Sequence, residues 1–558
     1  MPGQFLVRRA IPIRMRSWRT LGESQRWWLA VAGLLLITLL TRLPFRSRVP
    51  INWDAVQYIL GVRHFDVADH QPHPPGNPLY IFFGKGLHRF IADPNQALIA
   101  FSIITSLLAV LGTALIGRRV AGRAAGLWVG GLVAANPLFW FYGEVALSYV
   151  PEIAVGTFVA LAAWHAYHHP GTRAALVVGV AFAVAGGVRP TVLPLLGLLW
   201  LFGLWRLSWK DRAVAVLATL AGCLVWAIPL VSMTGGPLGY WRQLHWLTES
   251  AVEPTSLLKG PSLRWLHQLV EVGVAVAVAL NLFGLLVLLA LIKRSSRRKP
   301  AWPRLSTRTI FLCAWLIPPL VEFTLVHFGQ WGYLLLILPP SLLLGLLAIE
   351  RLAPLGSRLG AGLLSGSIVV SLLIFLVTPA IHATTPPFQP TRAAIRANDA
   401  TWLAVQRYVD SLPTRQTIIL TSADGLHSFR IASYLLPRYD VIGVGRDWDG
   451  DWGTMYYADN GHSTYHLDPK LRAQEWVPVS DVAYVVALDE VVIQKIADQP
   501  LWSRLTLADG APMLARSPLV SPEYLSFFGG RIQLVSGTAF SASVPSESGG
   551  PIEHPSFP

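Results

Sequence analysis

Charge is what this sequence has least of. Only 14% of its 558 residues are Asp, Glu, Lys or Arg, well below the roughly 25% of a soluble domain. That scarcity excludes a soluble globular enzyme. With 53% hydrophobic residues it also excludes an intrinsically disordered chain. Cysteine is nearly absent too. The two cysteines, Cys223 and Cys313, lie in apolar runs outside any metal or redox spacing. This excludes a disulfide scaffold and leaves them expected as buried small apolar side chains. What is abundant is apolar and aromatic, with 22 Trp and a mean hydropathy of +0.47. That composition is that of a multi-span membrane protein. The net charge of +14 raises the question of a nucleic-acid partner, which the position of the charges decides.

Eleven apolar runs reach or approach the roughly 20 residues a spanning helix needs. They fall near 27–45, 96–116, 124–141, 147–167, 173–189, 190–206, 213–233, 267–292, 309–327, 331–349 and 359–381. The pair at 173–206 is short and is split by Arg189-Pro190, so it reads as two helices or one broken hairpin. Basic residues precede the first run at Arg8, Arg9, Arg14, Arg16, Arg19 and Arg26. They recur at Arg118, Arg119 and Arg123, at Arg206, Lys210 and Arg212, and most densely between 293 and 308. With eleven spans all of these fall on one side, the cytoplasm, and the C-terminus lies outside. The first run lacks a small-residue cleavage site and continues into Arg42-Leu43-Pro44-Phe45, so an uncleaved helix is expected.

From 383 to 558 the chain is polar, with 13 Lys and Arg against 18 Asp and Glu. This part carries −5 and the remainder +19, so the basic excess marks an inner membrane face and no nucleic-acid partner is expected. A helical pattern at 402–412, strand patterns at 417–421, 441–444 and 482–488, and a short helix near 490–497 suggest a small α/β domain. The expected organisation is a basic cytoplasmic tail at 1–26, a transmembrane domain at 27–382, an outer α/β domain at 383–540, and a disordered Ser, Gly and Pro-rich tail at 541–558. Two outer loops, 46–95 and 234–266, are unusually long. The first holds helix candidates at 54–65 and 78–91 that suit a membrane surface.

A charge in a spanning helix costs about 2.5–3.5 kcal/mol on insertion scales. Asp54, Glu144, Glu152, Arg189, Glu271, Glu322 and His327 all map to outer ends of spans or to outer loops. A transporter or flippase for a sugar or lipid-linked substrate would place ionisable groups near mid-bilayer as well. An enzyme working at the outer face would place them as found, and so would charges that merely touch headgroups. In the first outer loop, Asn52-Trp53-Asp54-Ala55-Val56-Gln57-Tyr58 is followed by His70-Gln71-Pro72-His73-Pro74-Pro75-Gly76-Asn77-Pro78-Leu79-Tyr80. The prolines and Gly76 predict an extended segment closed by a turn that holds His73, with Pro78 in the first turn of the next helix.

These strings resemble the GT-C superfamily of membrane glycosyltransferases, near its protein O-mannosyltransferase and aminoarabinose-transferase branch. The likeness continues in Gly143-Glu144-Val145-Ala146-Leu147-Ser148, in Val188-Arg189-Pro190-Thr191, and in Gly332-Tyr333-Leu334-Leu335 with Pro339-Pro340. It implies a mainly α, polytopic GT-C-type fold that moves a monosaccharide from a polyprenyl-phosphate donor to an acceptor hydroxyl, with inversion. The acceptor would be a glycan, a lipid or a protein. Such chemistry needs a carboxylate base and donors near the departing phosphate. Asp54 matches the position of the family's base, and its alternative role is N-cap of the helix at 54–65. Glu144 is the second carboxylate. His73, Arg189 and Tyr58 are candidates for the phosphate or sugar. Arg242, Lys259 and Arg264 are further phosphate candidates on charge and location alone, with ordinary surface residues the alternative.

No cofactor is certain. His64, His70 and His73 with Asp54 match no metal-binding spacing, although some enzymes of the superfamily use a divalent metal. Asp447-Trp448-Asp449-Gly450-Asp451 begins like a calcium loop, but its glycine and its twelfth residue, Ala458, are wrong for one, so an acidic turn is expected. Trp448, Trp452, Tyr456 and Tyr457 suit either sugar stacking or a domain core.

Overall fold

The computed structural model describes residues 22–295, 306–380, 389–422, 428–446, 452–459, 462–464, 476–479, 484–488, 492–493, 502–506, 512–516, 524–527 and 532–536. The basic tail through residue 21, most of the basic 293–308 loop and the tail from 541 lie outside them.

A helix stands at each of the eleven apolar runs. In chain order they are α1 (Glu23–Arg42), α4 (Pro94–Ala121), α5 (Arg123–Ala135) with α6 (Pro137–Gly143), α7 (Tyr149–His168), α8 (Thr172–Val188), α9 (Val192–Leu204), α10 (Trp209–Met233), α12 (Leu263–Ser295), α13 (Thr307–Leu325), α14 (Leu338–Ile349) and α15 (Arg358–Val377). Among the described residues, six helices are long and apolar enough to cross a membrane, or seven if α5 and α6, bent by 60°, are one span. Arg189-Pro190 separates α8 and α9 into two helices of 17 and 13 residues, both below a full span. The bundle closes through small residues, as membrane helices do. A side chain at Gly112 would strike Thr157 of α7, and one at Gly179 would strike the Ala215 backbone of α10. Cys223 and Cys313 are free and half-buried rather than fully buried, each on a helix that keeps one face open.

The basic residues at one end of the bundle also pack. Arg118 lies 4.4 Å over the Trp27 ring, Arg206 lies 4.4 Å over Tyr167, and Arg123 pairs with Glu23.

The first long loop supplies α2 (Trp53–Arg63) and α3 (Pro78–His88). α2 does not lie on a surface. Ala55, Val56, Gln57, Tyr58, Ile59, Gly61 and Val62 are all buried, because α3, α4 and the C-terminal domain cover it. α3 is the open element, with Phe82 and Phe83 exposed. The second long loop supplies α11 (Gly236–Leu247).

The C-terminal domain begins earlier than its sequence pattern, with α16 (Arg392–Val409), followed by β1 (Thr417–Ser422), α17 (Ser428–Leu435), β2 (Asp440–Arg446), β3 (Trp452–Asp459), β4 (His462–Thr464), β5 (Trp476–Val479), β6 (Tyr484–Ala487), β7 (Trp502–Thr506), β8 (Pro512–Arg516), β9 (Tyr524–Phe527) and β10 (Ile532–Ser536). Seven strands form one sheet in the order β4-β3-β2-β1-β6-β8-β7. Its centre is parallel, with Ile419 opposite Val441 on one side and Val486 on the other, and its outer pairs are antiparallel. β5, β10 and β9 form a second, three-stranded sheet. Only residues 492 and 493 of the short helix expected near 490–497 are described, and both are helical. Val405, Val409, Ile419, Phe429, Ala432, Val441 and Val486 make the domain's core, and Trp53 and Leu60 of α2 pack against it.

Candidate active site

The N-terminus of α2 carries the first carboxylate. Its N-cap is Asn52, whose side chain accepts from the Ala55 amide at 2.9 Å. The cap is therefore not Asp54, which sits one turn position further in and leaves its carboxylate available. There the helix dipole favours negative charge. The Asp54 side chain retains 27% exposure. Gln330 Nε2 donates to Asp54 Oδ2 at 2.6 Å, while Asn52 Nδ2 donates to Gln330 Oε1 at 3.3 Å. One amide side chain thus ties the cap to the carboxylate. Among the described residues, no Lys or Arg lies within ion-pair distance of Asp54.

His73 faces the other oxygen. Its Nδ1 is 3.9 Å from Asp54 Oδ1, beyond hydrogen-bond reach. Its Nε2 is 3.5 Å from the Tyr58 hydroxyl, which accepts from Asn77 Nδ2 at 2.8 Å. The predicted turn is present. Gly76 has φ +99° and Asn77 φ +41°, and Pro78 opens α3. A Cβ at Gly76 would also meet Leu230 at 2.6 Å. Burial holds the His73 imidazole below its ordinary pKa, against the pull of Asp54, and the charges of Arg189 and Arg430 act in the same direction as burial. His73 is therefore a neutral ring at neutral pH.

Arg189 caps the end of α8, with its side chain 13% exposed. Its Nη1 donates to both Glu152 oxygens at 3.0 and 3.3 Å, and Ser148 Oγ donates to Glu152 Oε1 at 2.7 Å. The guanidinium lies over Tyr333 at 4.5 Å and Tyr149 at 5.5 Å. Its charge and that of Asp54 act on the same tyrosines, Tyr58, Tyr149 and Tyr333. Asp54, His73, Tyr58 and Arg189 are thus gathered into one polar cluster. It offers one reachable carboxylate, a neutral imidazole and a fixed cation with aromatic faces. Such a set can take a proton from a hydroxyl and hold an anionic or sugar group beside it.

The remaining candidates stand apart. Glu144 is fully buried, takes a hydrogen bond from Trp140 Nε1 at 3.1 Å, and feels Arg42 and Arg46 rather than Asp54. Arg242 and Arg264 are exposed on α11 and α12. Lys259 is 61% exposed and pairs with Glu253 at 2.9 Å. Among the described residues, no three or more His, Cys, Asp or Glu side chains gather as metal ligands, and His70 instead packs edge-on against Trp246. The acidic 447–451 segment, with Trp448, lies outside the described residues, as do the side chains of Trp452, Tyr456 and Tyr457.

Sequence reasoning missed Gln330, Asn52, Tyr149 and Glu152 as members of this cluster. Asn52 carried a signal, since Asn just before a helix is a favoured N-cap. Glu152 was visible as an outer-end charge with Ser148 one turn before it. Gln330 had no local signal, being 276 residues from Asp54.

No protein-family model matches the chain. A curated relative, the undecaprenyl phosphate-α-4-amino-4-deoxy-L-arabinose arabinosyl transferase of Pseudomonas aeruginosa, is 26% identical over 324 residues, 53% of this chain and 52% of the relative. The chain therefore spans about half the length of the curated relative it matches. The crystal structure of ArnT from Cupriavidus metallidurans bound to undecaprenyl phosphate superposes with a TM-score of 0.55, at 13% identity, over 89% of this chain and 98% of that one. The apo structure of the same protein gives 0.52 at 13% identity, over 88% and 98%. What the chain shares with these two structures is the fold: that of ArnT, a polytopic helical membrane protein.

Proposed function

We propose that this protein is a membrane glycosyltransferase that moves a monosaccharide from a polyprenyl-phosphate donor to an acceptor hydroxyl at the outer face of the cytoplasmic membrane. Asp54 is the general base. The observation that carries the reading is the Asp54 carboxylate itself, partly open, oriented by Gln330 and free of a cationic partner among the described residues. It lies in a fold shared with a protein that binds undecaprenyl phosphate. In the step, the acceptor oxygen attacks the anomeric carbon on the face opposite the phosphate and its proton passes to Asp54. The bond from the anomeric carbon to the phosphate oxygen breaks, and the electron pair leaves with the polyprenyl phosphate. One carboxylate suffices, because phosphate departs without a general acid, and attack from the opposite face inverts the centre. His73, Tyr58 and Arg189 line the donor's phosphate or sugar. The Glu144 side chain has buried partners of its own, Trp140 and Arg42, and is not assigned a step.

The test is Asp54→Asn in the full chain, assayed with undecaprenyl-phosphate-linked monosaccharides against an envelope extract as acceptor source. Transfer is expected to fall about 10²- to 10⁴-fold, the usual contribution of a positioned base, with membrane insertion and thermal unfolding unchanged. Undiminished turnover in that variant overturns the assignment. Glycan profiles of cells with and without the protein identify the sugar and the acceptor class.

A further inference from the structure

The segment that delivers Asp54, residues 47–50, belongs to no helix or strand, so its backbone groups need partners elsewhere. The membrane bundle supplies some. The Ser47 amide donates to the Glu144 carbonyl at 2.9 Å, and Gln96 Nε2 donates to the Ser47 carbonyl at 2.7 Å. The C-terminal domain supplies others. On α16, the Asp399 carboxylate accepts from the Arg48 amide at 3.0 Å and the Val49 amide at 3.2 Å, and Ser47 Oγ lies 3.0 Å away. Asn398 Nδ2 donates to the Pro50 carbonyl at 3.2 Å. On α17, the buried Arg430 guanidinium stacks 4.3 Å from the Trp53 ring, the residue before Asp54. At the far end of α2, Arg63 lies 5.1 Å over Tyr434 of the same helix α17. Trp53 and Leu60 complete the apolar packing between α2 and the sheet domain.

We propose that the C-terminal domain is a working part of the active site. Asp399 and Arg430 are positioning residues that clamp the strap before α2 and the Trp53 ring, and so fix the Asp54 carboxylate against Gln330 and His73. This rests on the reading of Asp54 as the base. A base displaced by about 1 Å can lose about 10²-fold in rate, because attack geometry is steep. The contacts made by Asp399 are charge-assisted and directional, which suits a positioning task. Arg430 adds a second effect, since its positive charge reaches His73.

The experiment uses the full chain in detergent or nanodiscs, with the undecaprenyl-phosphate-linked monosaccharide that native protein turns over fastest. Asp399→Ala and Arg430→Gln are each expected to lower kcat about 10- to 100-fold with donor KM changed less than about 3-fold. Asp399→Glu should recover part of the loss. Arg430→Gln should also move the acidic limb of the pH–rate profile upward, because one positive charge that lowers the His73 pKa is gone. Arg430→Lys, which keeps charge but loses the planar stack, should restore the limb and not kcat. Unchanged kcat in inserted, folded variants overturns the proposal. So does a loss of rate that only tracks a loss of folded protein across all four, since the contact would then be structural alone. Asp54→Asn runs in parallel. If it remains active, the base assignment has failed. If it is inactive while the Asp399 and Arg430 variants are not, only the positioning role has failed.

Discussion

The Arg189–Glu152 pair shows what a buried charge demands of its neighbours. Both side chains are nearly out of solvent, at 13% and 6% exposure, and each is the other's counter-ion. Arg189→Met should lower stability by about 3–5 kcal/mol, because it strands the Glu152 carboxylate in the interior. Arg189→Met combined with Glu152→Met should return most of that stability but not activity. Thermal unfolding of the two variants in the same detergent checks the first claim, and transfer assays the second. At His73 the sign of the pH effect follows from burial. The folded value lies below the free value of about 6.5, so the unfolded chain binds the proton first. The His73 contribution to stability is therefore complete above about pH 6.5 and is lost as the pH falls through its depressed folded value. His73→Gln should flatten that acidic part of a stability–pH curve. Both residues were legible in the sequence as outer-face polar groups. The ion pair was not, because Glu152 and Arg189 lie on different helices.

At the scale of elements, α2 and the turn before α3 decide whether Asp54 and His73 meet. Asn52 has two tasks there, capping α2 and holding Gln330. Asn52→Ala should cost about 1 kcal/mol in stability as a lost cap. It should lower transfer by more than that cost implies, since Gln330 loses one of its two anchors. Comparing unfolding midpoints with kcat separates the two losses. Gly76→Ala puts a side chain into a left-handed turn against Leu230. It should destabilise by about 1–3 kcal/mol, which a shift of the thermal midpoint reads out. The helices were legible because apolar runs and Pro-Gly punctuation are local signals. The alternative role of Asp54 as the cap of α2 was also a local signal. Asp54 is an acceptable cap by type, and only the backbone shows that Asn52 takes that position.

At the scale of the whole molecule, the charge divides into +19 before residue 383 and −5 after it. That division supports an orientation with the N-terminus inside and the sheet domain outside. A phosphatase fused after residue 558 should then be active in the periplasm of a bacterial host, and one fused ahead of residue 27 should not. The reverse pattern would place Asp54 on the cytoplasmic face and overturn the outer-face reading.

The sequence by itself determined the membrane class, the positions of eleven apolar helices and the turn at Gly76, and it singled out Asp54 as the proposed base. Each of these depends on composition or on neighbours within one or two turns. Only the tertiary structure decided which groups share the site. Gln330 reaches Asp54 across 276 residues and Asp399 reaches Arg48 across 351. A hydrogen bond closed by folding over that distance leaves no periodicity, spacing or motif in the chain. The same is true of Glu144, whose motif pointed to the site while its burial beside Trp140 and Arg42 gave it other partners.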